Sequence, residues 1–228
     1  MTITWCGHAC FLLESSCGSV VFDPYAPGKV PGWKLPALTA DKVVCSHGHA
    51  DHNWAEGVKP TGRTFTGRLT QIPSFHDDRR GALRGENLIT LVEAEGLRVV
   101  HMGDIGCALT AEQIASLGRV DVLMIPVGGH YTVDAAQAWE ITKALGAAIV
   151  IPMHYRGRGF GYDVIGTVEP FLKLAGNVKE IAGMSYAVDL ADAPATILFP
   201  AEALVPFPAR KREKAIVSHF FLDFPPFQ

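Results

Sequence analysis

Between Val43 and His52 the chain reads Val-Val-Cys-Ser-His-Gly-His-Ala-Asp-His, and no other stretch narrows the choice of fold so far. A short β-branched run stops at three imidazoles and a carboxylate. On extended backbone, side chains two residues apart point to one face, so His47 and His49 can reach a single point. Asp51 and His52 lie just beyond, where the chain must bend away from the strand. Imidazole nitrogen and carboxylate oxygen suit zinc and its first-row neighbours. Adjacent strands deliver their terminal residues to one edge of a sheet, which is where α/β folds build sites.

The same sign recurs three times: a polar residue directly after an apolar run. His76 follows Ile72 to Phe75, Asp104 follows Val99 to Met102, and His154 follows Val150 to Met153. Around these the apolar runs and breakers predict a strand at Ile3 to Trp5 and a hairpin of Cys10 to Glu14 with Ser19 to Phe22 across a turn cluster. Asp23-Pro24 ends that hairpin, and a Pro/Gly-rich loop follows. Strands are expected at Val43 to Cys45, Arg63 to Thr66 and Gln71 to Phe75, with the first turns of a helix at Asn53 to Gly57. A second hairpin pairs Asn87 to Glu93 with Leu97 to His101. After it come a helix at Ala111 to Leu117 capped by Thr110, a strand at Val120 to Ile125, a helix at Val133 to Leu145 and a strand at Ala147 to Ile151. Thr167 to Leu174 reads as a helix, with weak strands at Val178 to Ile181 and Tyr186 to Leu190.

His47-Gly48-His49-Ala50-Asp51-His52 resembles the H-x-H-x-D-H signature of the metallo-β-lactamase superfamily. The resemblance implies a four-layer αβ/βα sandwich with a metal site at the edge between two sheets. On the superfamily pattern His47, His49 and His76 would hold one divalent ion and Asp51, His52 and His154 a second, with Asp104 bridging. Zinc is expected ahead of manganese or iron. Ile3-Thr4-Trp5-Cys6-Gly7-His8-Ala9, Phe75-His76-Asp77-Asp78 with Arg84-Gly85-Glu86-Asn87, Pro126 to Thr132 and Pro152-Met153-His154-Tyr155 look closest to the branch containing ascorbate-6-phosphate lactonase. That match covers about residues 3 to 190; residues 201–228, with Phe220, Phe221, Phe224 and Phe227, form an unmatched tail. One domain spanning residues 1–228 is expected.

The chemistry so implied is hydrolysis by a metal-bound hydroxide, with Asp51 both ligating and orienting it. His130 and Tyr155 are candidates for stabilising an oxyanion or protonating a leaving group, with loop fixing the equally weighted role for His130. His8 is expected to support a ligand rather than to react. Arg84, beside His76, and Arg156 and Arg158, beside His154, would suit a phosphate or carboxylate on a small substrate; as loop arginines they would equally serve only solvation. A mononuclear iron dioxygenase would leave Asp51 and His52 without an ion, and a metal-binding protein without activity is the third alternative.

Composition limits the field further. Hydrophobic residues are 48% and charged residues 19% of 228, which excludes a disordered chain. The net charge of −3 is scattered, leaving no nucleic-acid footprint. No apolar run reaches the length of a membrane span, and Met-Thr-Ile-Thr-Trp lacks the pattern of a signal peptide. Five cysteines without a C-x-x-C pair fit reduced thiols in a cytoplasmic protein. Self-association is left open.

Overall fold

The computed structural model describes residues 1–200; the Phe-rich segment 201–228 lies outside the described residues. In chain order the strands are β1 (Thr2–Gly7), β2 (Cys10–Ser15), β3 (Gly18–Phe22), β4 (Leu38–Ala40), β5 (Lys42–Val44), β6 (Val58–Pro60), β7 (Arg68–Phe75), β8 (Glu86–Ala94) and β9 (Leu97–His101). Helix α1 (Ala111–Leu117), β10 (Val122–Pro126), α2 (Ala135–Leu145), β11 (Ile149–Met153), α3 (Glu169–Ala175), β12 (Val178–Glu180), β13 (Ser185–Ala187) and β14 (Ala195–Leu198) follow.

Two larger sheets result. One runs β13-β1-β2-β3-β5 and the other β12-β14-β11-β10-β9-β8-β7, with β4 and β6 paired in a small parallel sheet. Every residue of β10 and β11 is buried, as expected of parallel strands covered on both faces. A single buried cluster takes side chains from both large sheets. Across it the His101 ring stacks on Phe22 with centroids 5.0 Å apart and meets Phe11 edge-on at 6.0 Å. This is the two-sheet α/β sandwich that the resemblance implies.

The helices start where their side chains can cap them. Thr110 and Gln113 form a reciprocal capping box at α1, and Asp134 and Gln137 form another at α2. Gly146 takes the left-handed conformation that ends α2. Among the described residues, no helix is long and apolar enough to cross a membrane.

Several local expectations need correction. Arg63 to Thr66 is irregular, because Arg63 turns to Asp41 and Thr66 binds the Cys17 carbonyl. The strand begins only at Arg68. Asn53 to Gly57 holds one 3-10 turn, Ala55–Gly57, with no side-chain cap to extend it. Strands β4, β6 and β14 were not foreseen.

Candidate metal centre

Seven residues, each just beyond the C-terminal end of a strand, meet at one edge of the sandwich. In the first sheet β3 runs parallel to β5 with Phe22 opposite Val44, and β2 starts beside the end of β3 with Phe11 opposite Phe22. His8, Asp23 and the His47 to His52 stretch therefore leave the sheet together. In the second sheet β9, β10 and β11 are parallel, with Pro126 opposite Met153, and β7 ends beside the start of β8 with Phe75 opposite Glu86. That brings His76, Asp104 and His154 to the same side. His8, Asp23 and His154 turn inward on left-handed backbone, with φ of +56°, +43° and +53°. Such backbone costs on the order of 1 kcal/mol or more per residue and concentrates at functional sites.

Asp104 is the hub. Its Oδ2 lies 3.2 Å from His52 Nε2, 3.3 Å from His76 Nε2 and 3.1 Å from His154 Nε2. Buried Asn87 fixes it there, accepting from the Asp104 amide at 2.9 Å and donating to the Met102 carbonyl at 2.9 Å. Gly103, at φ +57°, lets this turn lie so near its neighbours that a Cβ would stand 2.3 Å from Asn87 Oδ1.

Outside the hub, hydrogen bonds select the ring tautomers. Asp23 accepts from the Ser46 amide at 2.7 Å, the Ser46 hydroxyl at 2.6 Å and His52 Nδ1 at 2.9 Å. Because the Ser46 hydroxyl donates to Asp23, its oxygen is left to accept from His47 Nδ1 at 2.9 Å. His76 Nδ1 donates to the Tyr131 carbonyl at 3.1 Å. Each pinned Nδ1–H leaves an Nε2 lone pair directed inward, which is how metal-binding histidines are oriented.

The donor atoms meet the test for a metal. Among the described residues, the buried side-chain atoms left without a hydrogen-bond partner are both His8 ring nitrogens, His47 Nε2, His52 Nε2, His154 Nδ1 and one oxygen of Asp104. Buried polar atoms are otherwise satisfied almost everywhere, so this concentration calls for a cation. Donor atoms of His47, His49 and His76 lie within 4.8 Å of one another, as do those of His8, Asp51, His52 and His154, and those of His47, His52 and Asp104.

The charge states of His8, His47, His49, Asp51 and Asp104 agree with this. Burial pushes His8 down to about 3 and His47 to about 4, and lowers His49 as well. Burial resists ionisation of Asp51 and Asp104, yet neighbouring imidazoles hold both carboxyls below their usual range. His52 goes the other way: burial opposes its cation, but the Asp104 and Asp23 carboxylates outweigh it. Neutral imidazoles and ionised carboxylates are the forms a divalent ion takes up.

A cavity of about 290 Å³ opens onto this cluster, lined by His49, Asp51, His76, Asp104 and His154 with Leu83, Arg84, Tyr131 and Tyr162. Asp77 shapes its rim, accepting the amides of Arg79, Gly81, Leu83 and Arg84. Arg84 then lies over the Tyr131 ring, 5.7 Å from its centroid.

The structure thus brings together the seven expected ligands, His8 and Arg84. The other expected residues stand elsewhere. Tyr155 is 4% exposed and packs on Trp5 and Phe160, so its phenol has no path to a substrate. His130 is exposed, edge-on to the Tyr131 ring, and does not line the cavity. Arg156 is turned to the Ile165 carbonyl, and Arg158 is exposed away from the cavity lining. Two residues were missed. Tyr162, whose hydroxyl lies 3.1 Å from Asp51 Oδ2, sits in an irregular loop that carries no sequence signal. Asp23 follows the apolar run Ser19 to Phe22, so the rule that found His76, Asp104 and His154 would have found it too.

Comparison with known proteins gives concordant results. Residues 2–154 match the family model described as the Beta-lactamase superfamily domain. A UPF0173 metal-dependent hydrolase of Archaeoglobus fulgidus is 30% identical over 193 residues, 68% of this chain and 83% of that protein. Its namesake from Methanosphaerula palustris is 33% identical over 189 residues, covering 68% and 84%. A crystal structure from Thermotoga maritima, assigned to the metallo-β-lactamase superfamily, aligns with a TM-score of 0.71 at 31% identity, covering 87% of this chain and 98% of that one.

Proposed function

The chain belongs to the metallo-β-lactamase superfamily as a metal-dependent hydrolase, and we propose that it works with two divalent ions on a small ester, lactone or phosphoester. Zinc is the first choice of metal and manganese or iron the next. The observation that carries this reading is Asp104, one carboxylate oxygen held within 3.3 Å of three inward-facing imidazoles from different strands. His47, His49 and His76 would hold one ion and Asp51, His52 and His154 the other, with Asp104 shared. Bound there, a divalent ion supplies Lewis acidity and activated water at neutral pH.

The chain's own residues do the rest. Tyr162 shares its hydroxyl proton between the Lys29 carbonyl at 2.5 Å and Asp51 at 3.1 Å, which fixes the Asp51 carboxylate. Burial and the Asp51 charge raise the Tyr162 phenol above its usual range, so it stays protonated and keeps that bond. Arg84, held by the Asp77 turn at the cavity wall, would pair with a phosphate or carboxylate of the substrate. Leu83 and Tyr131 give the cavity an apolar side. Its small volume suits a small molecule.

A single iron, as in a dioxygenase, would leave the buried His52 Nε2 without a partner; this favours two ions. Elemental analysis of protein purified without added metal tests the reading. Two zinc or manganese ions per chain are expected, with both metal content and hydrolysis falling in His76→Ala. One iron per chain, or none, would overturn it. For the substrate, an anionic ester should be turned over faster than its neutral isostere, and Arg84→Ala should remove most of that preference by raising KM. Equal turnover of the pair by the wild type would dismiss an anionic substrate.

A further inference from the structure

His8 is the buried side chain that this division of ligands leaves over. It occupies the turn between β1 and β2, is 1% exposed, and has left-handed backbone. Its carbonyl accepts from the Trp5 indole at 2.9 Å and from the His154 amide at 3.4 Å, so the residue is clamped between two strands. The ring faces the cluster, with its centroid 4.0 Å from that of His154 and 5.2 Å from that of His52. Neither ring nitrogen has a hydrogen-bond partner, and the nearest carboxylate oxygen, Asp51 Oδ2, stands 3.5 Å from Nε2. At that distance it is not a good hydrogen bond. A fully buried imidazole with both nitrogens unsatisfied is costly unless something else fills the gap.

From this we propose that His8 is itself a metal donor, completing a four-residue set of His8, Asp51, His52 and His154. The inference rests on the reading of the cluster as a divalent-metal centre. Donor atoms of these four lie within 4.8 Å of one another. Only Asp51 and His154 of the set reach the cavity, while His8 and His52 close it from behind. The other set, His47, His49 and His76, has three members, and its His49 is exposed at the cavity mouth. With the shared Asp104 counted in both, the His8 set has five protein donors and the other set four, so the ion at His8 would keep fewer positions for water or substrate. The two ions would therefore be unequal: the one at His8 is the more tightly retained, and the one at His49 is the more open to the substrate.

Cobalt(II) loading tests this without reference to turnover. In wild-type protein, proton NMR of the cobalt form in water should show hyperfine-shifted ring N–H signals whose number drops by one in His8→Asn. Asn is chosen because it tolerates the left-handed backbone and is too short to reach the ion. In graded chelation the wild type should release its ions in two steps, and the variant should lose the later step, with affinity there reduced by about 100-fold. A residue that only orients a ligand can cost about 10- to 100-fold as well, so the signal count and the number of release steps carry the discrimination. An unchanged signal count with unchanged two-step release would overturn the assignment. X-ray absorption at the zinc edge of the wild type gives a check independent of any variant. An average imidazole number of three per zinc supports a donor role, and two and a half overturns it. Wild-type protein that takes up no metal would overturn the hydrolase reading itself, a result distinct from either.

Discussion

Asp23 has no place among the expected metal ligands, yet three hydrogen bonds converge on it, and through Ser46 and His52 it sets the orientation of two imidazoles. Replacing its carboxylate with an amide puts a donor where two donors already point. Asp23→Asn should therefore weaken metal binding by about 10- to 100-fold, measured by chelator competition. The circular dichroism of the metal-loaded protein should remain that of the wild type. An affinity equal to wild type would show that the Ser46 and His47 geometry holds without it. The ligands themselves were legible because His-x-His-x-Asp-His is dense in rare donors. Asp23 was not singled out because Asp-Pro also reads as a strand terminator, and its partner His52 is 29 positions away.

At the scale of elements, long apolar runs were readable and short mixed ones were not. The β1 to β3 hairpins and the alternation from β9 to β11 stand out because burial on one or both faces selects apolar residues at regular spacing. Strands β4 and β6 have three residues each, too few for a period, and they form because the chain ends around Asp41 are tied together. Asp41 accepts from the Ser19 amide at 2.8 Å, the Thr61 hydroxyl and Arg63 Nε at 3.1 Å, joining β3, β4 and the segment after β6. These bonds, led by the Thr61 hydroxyl, hold its carboxyl down at about 2. A carboxyl depressed in the folded state adds stability that is complete above its unfolded value, about 3.9. That stability is lost as the pH falls through 2. Asp41→Asn should be less stable than the wild type at pH 7, with the gap narrowing between about pH 4 and pH 2. Urea midpoints across that range provide the check, and parallel curves would remove Asp41 from the acid response.

For the whole molecule, the fold class followed from the resemblance and not from spacing alone. Nothing in the linear order of His8, His47, His76, Asp104 and His154 states that two separate sheets present their edges to one point. That depends on the parallel registers of β3 with β5 and of β9 with β10 and β11. The first sheet supplies His8, Asp23 and the His47 to His52 stretch, and the second supplies His76, Asp104 and His154. The division has a consequence during synthesis. The histidine-rich motif leaves the ribosome about a hundred residues before His154, an interval of roughly 5–20 s at ordinary elongation rates. Throughout that interval it offers only a loose, exposed half-set to whichever ion is most abundant. Asp104 and His154 arrive last and are buried as the sheets dock, so discrimination among ions falls to the finished fold and not to the motif that announces it.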